Sequence, residues 1–189
     1  MKYIKIVNIT LLLIVVYFLL FKLNEYLFSS YIFSGGVNWI YLPSGLRLVF
    51  VLVFIRVGAV SVGLATFLIS YLYYFDENLI TIMGVGFISG FAPWFARKIC
   101  IRMYKMKPNL QDLSASALLE IALVFAVVSP VMHQVWLTWR GHTENFLQST
   151  VVMAIGDFLG TVLVLYAIKI LMSGVSGWAR RSEQKSWFM

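Results

Sequence analysis

The chain of 189 residues is 61% hydrophobic and only 12% charged, about half the charged fraction of a soluble domain. This composition excludes an ordinary soluble enzyme or DNA-binding domain and predicts an all-α membrane bundle of about six helices, each of roughly 20 residues. The net charge of +7 does not indicate nucleic-acid binding, because the lysines and arginines lie at the ends of apolar runs, where the positive-inside rule places them.

The first 45 residues contain a predicted helix followed by a segment rich in aromatic residues. Two lysines precede the apolar run over residues 6–21, and no small-residue cleavage site follows it. We therefore predict an uncleaved first helix whose N-terminus lies in the cytoplasm. Residues 23–45 contain a Gly-Gly pair and Pro43, which interrupt regular structure. Two interpretations of this segment stay open, an interfacial connection and a partly re-entrant one.

The apolar stretch from Leu46 to Tyr74 is interrupted at Arg56. One kinked helix over this stretch would be roughly 43 Å long, which is too long for a bilayer without strong tilt. The alternative is a helical hairpin that turns at Arg56. Charge favours the hairpin, because only the hairpin brings the basic cluster of the next helix to the same side as the N-terminal lysines. This basic cluster comprises Arg97, Lys98, Arg102, Lys105 and Lys107.

The fourth predicted helix, residues 79–96, contains a seam of small residues in which Gly86 and Gly90 form a GxxxG pattern. Such a pattern is typical of tight contact between membrane helices. The fifth predicted helix begins after Ser114 and extends to about Trp136. We expect Ser114 to cap this helix, because a serine hydroxyl accepts a hydrogen bond from an otherwise unpaired backbone N–H.

The last predicted helix, residues 146–172, carries Asp157 near its middle. An aspartate at that depth costs roughly 2.5–3.5 kcal/mol unless it faces protein, water or a partner. It is either a ligand, proton or ion site, or a buried hydrogen-bonded residue that stabilises helix packing. Gly156 and Gly160 share or adjoin its face and allow another backbone to come close. We therefore predict that this face points into the protein.

Further polar residues lie where a pocket could form around Asp157. Arg47 begins the second helix, shortly after Asn38 and Ser44. It either pairs with Asp157, binds an anionic headgroup or ligand at the outer mouth, or extends to the outer interface, as arginines near helix ends do. His133 follows a Ser-Pro pair in the fifth helix. It is either a pH sensor or a solvated imidazole near the outer interface.

The other residues do not form a catalytic or metal-binding set. By helix rise, Glu120 lies roughly 13 Å from Asp157 in depth, too far for the paired carboxylates of a hydrolase. We expect Glu120 to be a partner of the basic cluster. With Cys100 as its only cysteine and with two histidines, the chain is predicted to have no disulfide, no metal site and no cofactor. No nucleophile–base pair can be assembled either, so we expect no enzymatic activity.

Three short segments resemble a known family. They are residues 38–48 (NWIYLPSGLRL), 110–120 (LQDLSASALLE) and 155–160 (IGDFLG). In this order they resemble the MASE1 family, bacterial integral membrane sensory domains that precede cyclase or kinase modules. The Pro-x-Gly and the Gly-Asp-x-x-Gly are the most characteristic parts. The resemblance implies a ligand-sensing or protein-recruiting membrane bundle in which Asp157 is the residue of the Gly-Asp motif. We expect no output domain in this chain.

The sequence thus predicts a multi-pass protein of the bacterial inner (cytoplasmic) membrane, with a single bundle over residues 1–172 and a basic cytoplasmic tail over residues 173–189. We expect a non-enzymatic sensory or partner-binding module with an outward-opening pocket shaped by Asp157, Arg47 and residues 38–45. Expected partners are the lipid bilayer, a membrane or cytoplasmic protein, and a small-molecule ligand. The alternatives are a small transport subunit with a buried substrate cavity, similar to the substrate-binding component of an energy-coupling-factor transporter, and an accessory subunit of an envelope complex.

Overall fold

The computed structural model of the protein describes residues 2–75, 78–103 and 114–186. Over these residues the chain is an all-α bundle with one short β-hairpin, which confirms the predicted fold class. The helices are α1 Lys2–Phe28, α2 Pro43–Phe54, α3 Arg56–Tyr73, α4 Leu79–Met103, α5 Ala115–Trp139 and α6 Phe146–Ser186. A 3-10 turn, Ser29–Tyr31, and the antiparallel strands β1 Ile32–Ser34 and β2 Val37–Asn38 connect α1 to α2.

Five of the described helices are long and apolar enough to cross a membrane: α1, α3, α4, α5 and the Phe146–Ser173 part of α6. The protein is therefore a multi-pass membrane protein. The sixth helix, α2, has 12 residues and is roughly 18 Å long, so it cannot cross a hydrocarbon core of roughly 30 Å by itself. The helical conformation of α6 continues to Ser186, beyond the predicted end of the bundle at residue 172.

The helices α2 and α3 form the hairpin that the charge distribution predicted. The chain reverses at Ile55, the one non-glycine residue in the described ranges with a positive φ (47°). Gly58 lies so close to the Phe50 carbonyl that a Cβ atom would collide with its oxygen. Because this glycine permits the close approach, α3 returns directly alongside α2. The short helix α2 is packed inside the bundle, against α1, α3, α4 and α6.

The two ends of the bundle differ in composition. We call the end that carries the β-hairpin the hairpin end; the turn between α2 and α3 lies at the opposite end. At the hairpin end the Trp136 indole N–H donates to the Thr81 carbonyl (3.1 Å), which joins α5 to α4. Arg97, Lys98 and Arg102 lie at the opposite end, the basic end, whereas Lys105 and Lys107 lie outside the described residues. The helices alternate in direction, so α1 begins and α6 ends at the basic end. The cytoplasmic location of this end stays a prediction.

The chain between α1 and α2 re-enters the bundle. Gly156 and Gly160 of α6 lie against the carbonyl groups of Asn38 and Tyr41, and neither glycine has room for a Cβ atom. The Tyr41 N–H donates to the Gly156 carbonyl (3.2 Å). Because Gly156 lies roughly 15 Å along α6 from Phe146, this contact is deep within the span. Of the predicted connection over residues 23–45, residues 23–28 continue α1, and only the part from Asn38 onward enters the bundle. The connection is therefore partly re-entrant, and α2 begins inside the bundle.

Apolar side chains cover the outside of the bundle. Leu12 and Leu19 of α1 are both 61% exposed, and Met83 and Phe87 of α4 are exposed to a similar extent. A soluble monomer rarely exposes continuous apolar surface of this kind, whereas lipid is a suitable solvent for it. Polar side chains are buried between the helices instead, as expected when the surroundings cannot form hydrogen bonds.

Candidate functional site

The carboxylate of Asp157 lies at the centre of the buried polar groups. The residue is fully buried on α6, and its Oδ2 accepts a hydrogen bond from the Ser129 hydroxyl of α5 (3.1 Å). The same oxygen lies 3.9 Å from Nη1 of Arg47 on α2. Asp157 thus points into the protein and faces an opposite charge from a different helix.

The guanidinium of Arg47 joins three further elements. Its Nε donates to the Tyr17 hydroxyl of α1 (2.9 Å), and Thr66 of α3 also donates to that hydroxyl (3.5 Å). The guanidinium carbon lies 5.0 Å from the ring centre of Tyr41, within the range of a cation–π contact. Arg47 is 3% exposed. It therefore points inward, and it does not extend to the membrane surface.

His133 continues the polar contacts on the other side of Asp157. Its Nδ1 lies 2.8 Å from the Ser129 carbonyl, and its Nε2 lies 3.1 Å from the Ser89 hydroxyl of α4. A carbonyl oxygen can only accept, so Nδ1 carries a proton and donates to Ser129. His133 is 2% exposed, which contradicts the interpretation of a solvated imidazole.

These contacts form one continuous arrangement, which we name the polar chain: Tyr17, Arg47, Asp157, Ser129, His133 and Ser89. Its members come from α1, α2, α6, α5 and α4, and α3 joins through Thr66. Each described helix therefore contributes a side chain to this network. Buried networks of this kind hold helices in one relative arrangement, because a displaced member leaves its partners without hydrogen bonds.

The start of α2 is attached to α6 next to the ion pair. The Ser44 hydroxyl donates to the Asp157 carbonyl (2.7 Å) and lies 3.1 Å from the Thr161 hydroxyl. Gly45 lies against the side chain of Val164, and a Cβ atom would collide with it. The Pro-x-Gly and Gly-Asp segments, which are distant in sequence, therefore meet in the structure.

The ion pair is incompletely satisfied. Among the described residues, buried Arg47 Nη1, Asp157 Oδ1 and Asn38 Nδ2 have no hydrogen-bond partner. The 3.9 Å separation exceeds the roughly 2.7–2.9 Å of a direct charge-assisted hydrogen bond. Buried polar groups without partners are rare in proteins. These three atoms are therefore where a further polar group would gain hydrogen bonds.

A cavity adjoins the guanidinium on the side of the hairpin end. It has a volume of about 30 Å³, enough for one or two molecules of the size of water. Arg47 and His133 line its inner part, and Gly35, Gly36 and Phe75 line the part near the hairpin end. It thus lies between the Arg47 side chain and the end of the bundle that carries the β-hairpin.

Several predicted residues lie away from this site. Glu120 is half-buried near the basic end of α5, roughly 13 Å along the helix from Ser129. It therefore forms no carboxylate pair with Asp157. Gly86 and Gly90 lie against the carbonyl groups of Gly63 and Ala59 on α3, outside the polar chain. Within the described ranges, no group of three or more His, Cys, Asp or Glu side chains could hold a metal ion.

Sequence analysis did not identify Tyr17, Ser89 or Thr66 as members of the site. Tyr17 is the only polar residue in the apolar run over residues 6–21 apart from Asn8 and Thr10. A hydroxyl near the middle of such a run is the signal that could have identified it, since buried hydroxyls need partners. Ser89 adjoins Gly90 in the small-residue seam. A small residue is expected there for close helix packing, so the serine did not indicate a polar site.

Comparison with protein-family models, curated proteins and solved structures finds no significant match to the chain. The resemblance to the MASE1 family therefore stays a prediction.

Proposed function

We propose that the protein is a non-enzymatic sensory module of the bacterial inner membrane, which binds a small polar ligand beside Arg47 and transmits the change to a protein partner at the basic end. The incompletely satisfied Arg47–Asp157 pair carries this proposal. A buried polar group without a partner costs about 1–3 kcal/mol. A ligand that supplies the missing hydrogen bonds recovers this free energy on binding.

The helix α2 is the element that can transmit a conformational change from the ligand site to the basic end. A ligand shifts a conformational equilibrium only if it binds the two conformations with different affinity. A hydrogen-bond acceptor beside Arg47 Nη1 competes with Asp157 for the guanidinium, and this competition changes the position of the first turn of α2 relative to α6. The other end of α2 leads through Ile55 directly to Arg56 at the basic end.

The segments that resemble the MASE1 family support the same proposal. Ser44 lies in the Pro-x-Gly segment and donates to the carbonyl of Asp157, the residue of the Gly-Asp motif. The resemblance implies a sensory role, and the structure brings the two motifs together at the incompletely satisfied ion pair.

The cavity volume favours sensing over the transport alternative. Sites for drug-sized or cofactor-sized molecules have volumes of roughly 300–1,000 Å³, whereas the cavity beside Arg47 has about 30 Å³. A vitamin-sized substrate does not fit without separation of the helices. The ligand class that fits is a hydrogen-bond acceptor of a few atoms.

One contact has the geometry of a catalytic pair. The Ser89 hydroxyl lies 3.1 Å from His133 Nε2. This spacing is that of a nucleophile and its base. However, Ser89 is completely buried, and His133 and Val85 line the cavity whereas Ser89 does not. A substrate carbonyl has no room beside the hydroxyl, so we interpret the pair as a satisfied buried histidine.

A thermal-shift screen tests the proposed function. The purified protein in detergent is heated with formate, nitrate or chloride as small hydrogen-bond acceptors. At least one solute is expected to raise the melting temperature of the wild type and to change deuterium uptake in α2, because it completes the hydrogen bonds of Arg47. Arg47→Gln should abolish both effects.

The control variant is Arg140→Gln, which removes an arginine at the hairpin end that contacts Thr81 and Asn78 outside the polar chain. It should retain the response. A response that persists in Arg47→Gln contradicts the site, and the absence of any response in the wild type contradicts sensing by this cavity. Co-purification of a kinase or cyclase supports the sensory role, whereas a tightly retained metabolite supports transport.

A further inference from the structure

A second feature, separate from the polar chain, lies on the outer surface of the bundle. A groove of about 840 Å³ runs between α3 and α4. Its floor includes Gly63, Gly86 and Gly90, at which the backbones of the two helices meet. Phe87, Phe91 and Trp94 form one wall. The groove is therefore mostly apolar, open, and continuous with the surface that faces lipid.

The length of the groove corresponds to one leaflet of a bilayer. Its lining on α3 extends from Arg56 to Phe67, and its lining on α4 extends from Met83 to Trp94. Both distances are roughly 16 Å at 1.5 Å per residue, about half of a hydrocarbon core of roughly 30 Å. A transmembrane helix of a partner would need a groove along the whole span. An acyl chain from a single leaflet matches the observed length.

The end of the groove at the basic end is positively charged. Arg56 lines it, and among the described residues no carboxylate lies within ion-pair distance of this arginine. Lys98 is one turn beyond Trp94, and its ammonium group lies 4.5 Å from the centre of the Trp94 ring. Two exposed cations therefore lie at the level where the headgroup of a lipid in this groove would be.

We propose that the groove between α3 and α4 binds one anionic phospholipid from the leaflet at the basic end. The acyl chain lies over Gly63, Gly86 and Gly90, and the headgroup phosphate contacts Arg56 and Lys98. The glycine floor supplies depth, the aromatic wall supplies contact area, and the two cations select a negatively charged headgroup over a zwitterionic one. This proposal is independent of the ligand beside Arg47.

Native mass spectrometry with defined lipids tests the headgroup contact. The purified protein is incubated with equal amounts of phosphatidylglycerol and phosphatidylcholine, and the bound lipids are counted. The wild type should retain one phosphatidylglycerol in preference to phosphatidylcholine. Arg56→Gln combined with Lys98→Gln should reduce this preference, by roughly fivefold for each charge removed. Arg102→Gln removes an exposed arginine of α4 that does not line the groove, and it should retain the preference.

A pair of tryptophan variants tests the position of the acyl chain. Leu64 lines the groove, whereas Leu68 lies one turn further along α3, is similarly exposed and does not line it. Leu64→Trp should fill the groove and lower phosphatidylglycerol occupancy, and Leu68→Trp should leave the occupancy unchanged. Because both side chains are on the surface, both variants are expected to fold. Equal occupancy in the two variants overturns the proposal.

A second copy of the chain is the other molecule that could occupy the groove in place of a lipid. Leu64→Cys in native membranes tests it, since the natural Cys100 is buried. No disulfide-linked dimer is expected if a lipid occupies the groove. Efficient cross-linking of Leu64→Cys, together with lipid occupancy unchanged by Arg56→Gln and Lys98→Gln, assigns the groove to protein association instead and overturns the lipid proposal.

Discussion

At the scale of single residues, the central feature is an ion pair, Arg47 and Asp157, whose members form no direct hydrogen bond. Arg47 contacts Tyr17 and the ring of Tyr41, and Asp157 accepts from Ser129, yet the two charged groups remain 3.9 Å apart. Each partner is thus held by neutral side chains.

The first prediction concerns the loss of this charge. Asp157→Asn keeps the shape of the side chain but leaves a buried guanidinium without a counter-charge, which costs about 3–5 kcal/mol. We expect the free energy of unfolding in mixed micelles to fall by this amount. Glu144→Gln, which removes an exposed carboxylate from the loop before α6, should have no effect. Equal stability of Asp157→Asn and the wild type would show that Asp157 does not interact with Arg47.

The inward orientation of Asp157 could be predicted from the sequence, because a carboxylate within an apolar span must avoid lipid. Its partners could be predicted only in part. Pairing with Asp157 was one of three alternatives for Arg47, and Tyr17 was not considered. Membrane helices are apolar on all sides, so hydrophobic periodicity does not show which face of α1 is buried. The hydroxyl of Tyr17 acquires its role only when α2 and α3 lie beside it.

At the scale of elements, the short helix α2 and the segment before it are the least usual parts of the bundle. A non-helical backbone within a membrane span is tolerated only where protein surrounds it. Here α6 provides this protection through Gly156 and Gly160, and Asn24 of α1 accepts a hydrogen bond from the Leu42 N–H at 2.8 Å. The re-entrant segment is therefore held on two sides by spanning helices.

The second prediction tests this contact. In Gly160→Ala the added methyl group would overlap with the Tyr41 carbonyl, so the re-entrant segment must move away from α6. We expect a loss of about 1–3 kcal/mol in the free energy of unfolding, the usual cost of overpacking, and faster deuterium uptake in residues 38–45. Gly35→Ala is the matched control, since nothing lies within 4 Å of its Cβ position. Unchanged uptake in Gly160→Ala would contradict the close packing.

The third prediction concerns the turn between α2 and α3. Ile55 has a positive φ of 47°, a conformation that costs a β-branched residue about 1–3 kcal/mol. Ile55→Gly should therefore preserve or raise the unfolding free energy, although it removes a side chain. Val53→Gly, at an exposed position in the last turn of α2, should lower it by about 0.5 kcal/mol. A larger loss in Ile55→Gly than in Val53→Gly would show that the Ile55 side chain outweighs its backbone conformation.

The hairpin of α2 and α3 could be predicted from the sequence, whereas the depth of α2 could not. The positions of the basic residues favoured a reversal near Arg56, and the reversal occurs at Ile55. The close approach of Gly156 to Asn38 determines how deeply the segment enters. The only sign of this contact in the sequence is the glycine itself. A glycine does not show which distant segment it contacts.

At the scale of the whole molecule, the polar chain connects all six described helices near one level of the bundle. The surface above and below this level is apolar, and the basic end carries the cations. The polar chain therefore holds the six helices in one relative arrangement at this level. In the proposed sensory role, a ligand that breaks the Arg47–Asp157 contact would release α2 from this arrangement, and α2 would carry the change to the basic end.

The fourth prediction concerns the orientation of the molecule. Lys5→Cys and Arg102→Cys lie at the basic end and Glu144→Cys lies in the loop at the hairpin end, whereas the natural Cys100 is buried. In intact cells a membrane-impermeant maleimide should label Glu144→Cys alone, because the positive-inside rule places the basic end in the cytoplasm. Permeabilisation should expose the other two. Labelling of Lys5→Cys and Arg102→Cys from opposite sides would contradict the helix directions described above.

The late position of α6 has a consequence for biosynthesis. Ser44 and Asp157 are 113 positions apart, so the ribosome completes α2 long before it synthesises the helix that neutralises Arg47. Until then the nascent chain carries a membrane-embedded guanidinium with no anionic counterpart, on a helix too short to be retained by its own hydrophobicity. We therefore expect the earlier helices to reach their final arrangement only after α6 has entered the membrane. Products truncated before Phe146 should be recognised by membrane proteases as unassembled and degraded.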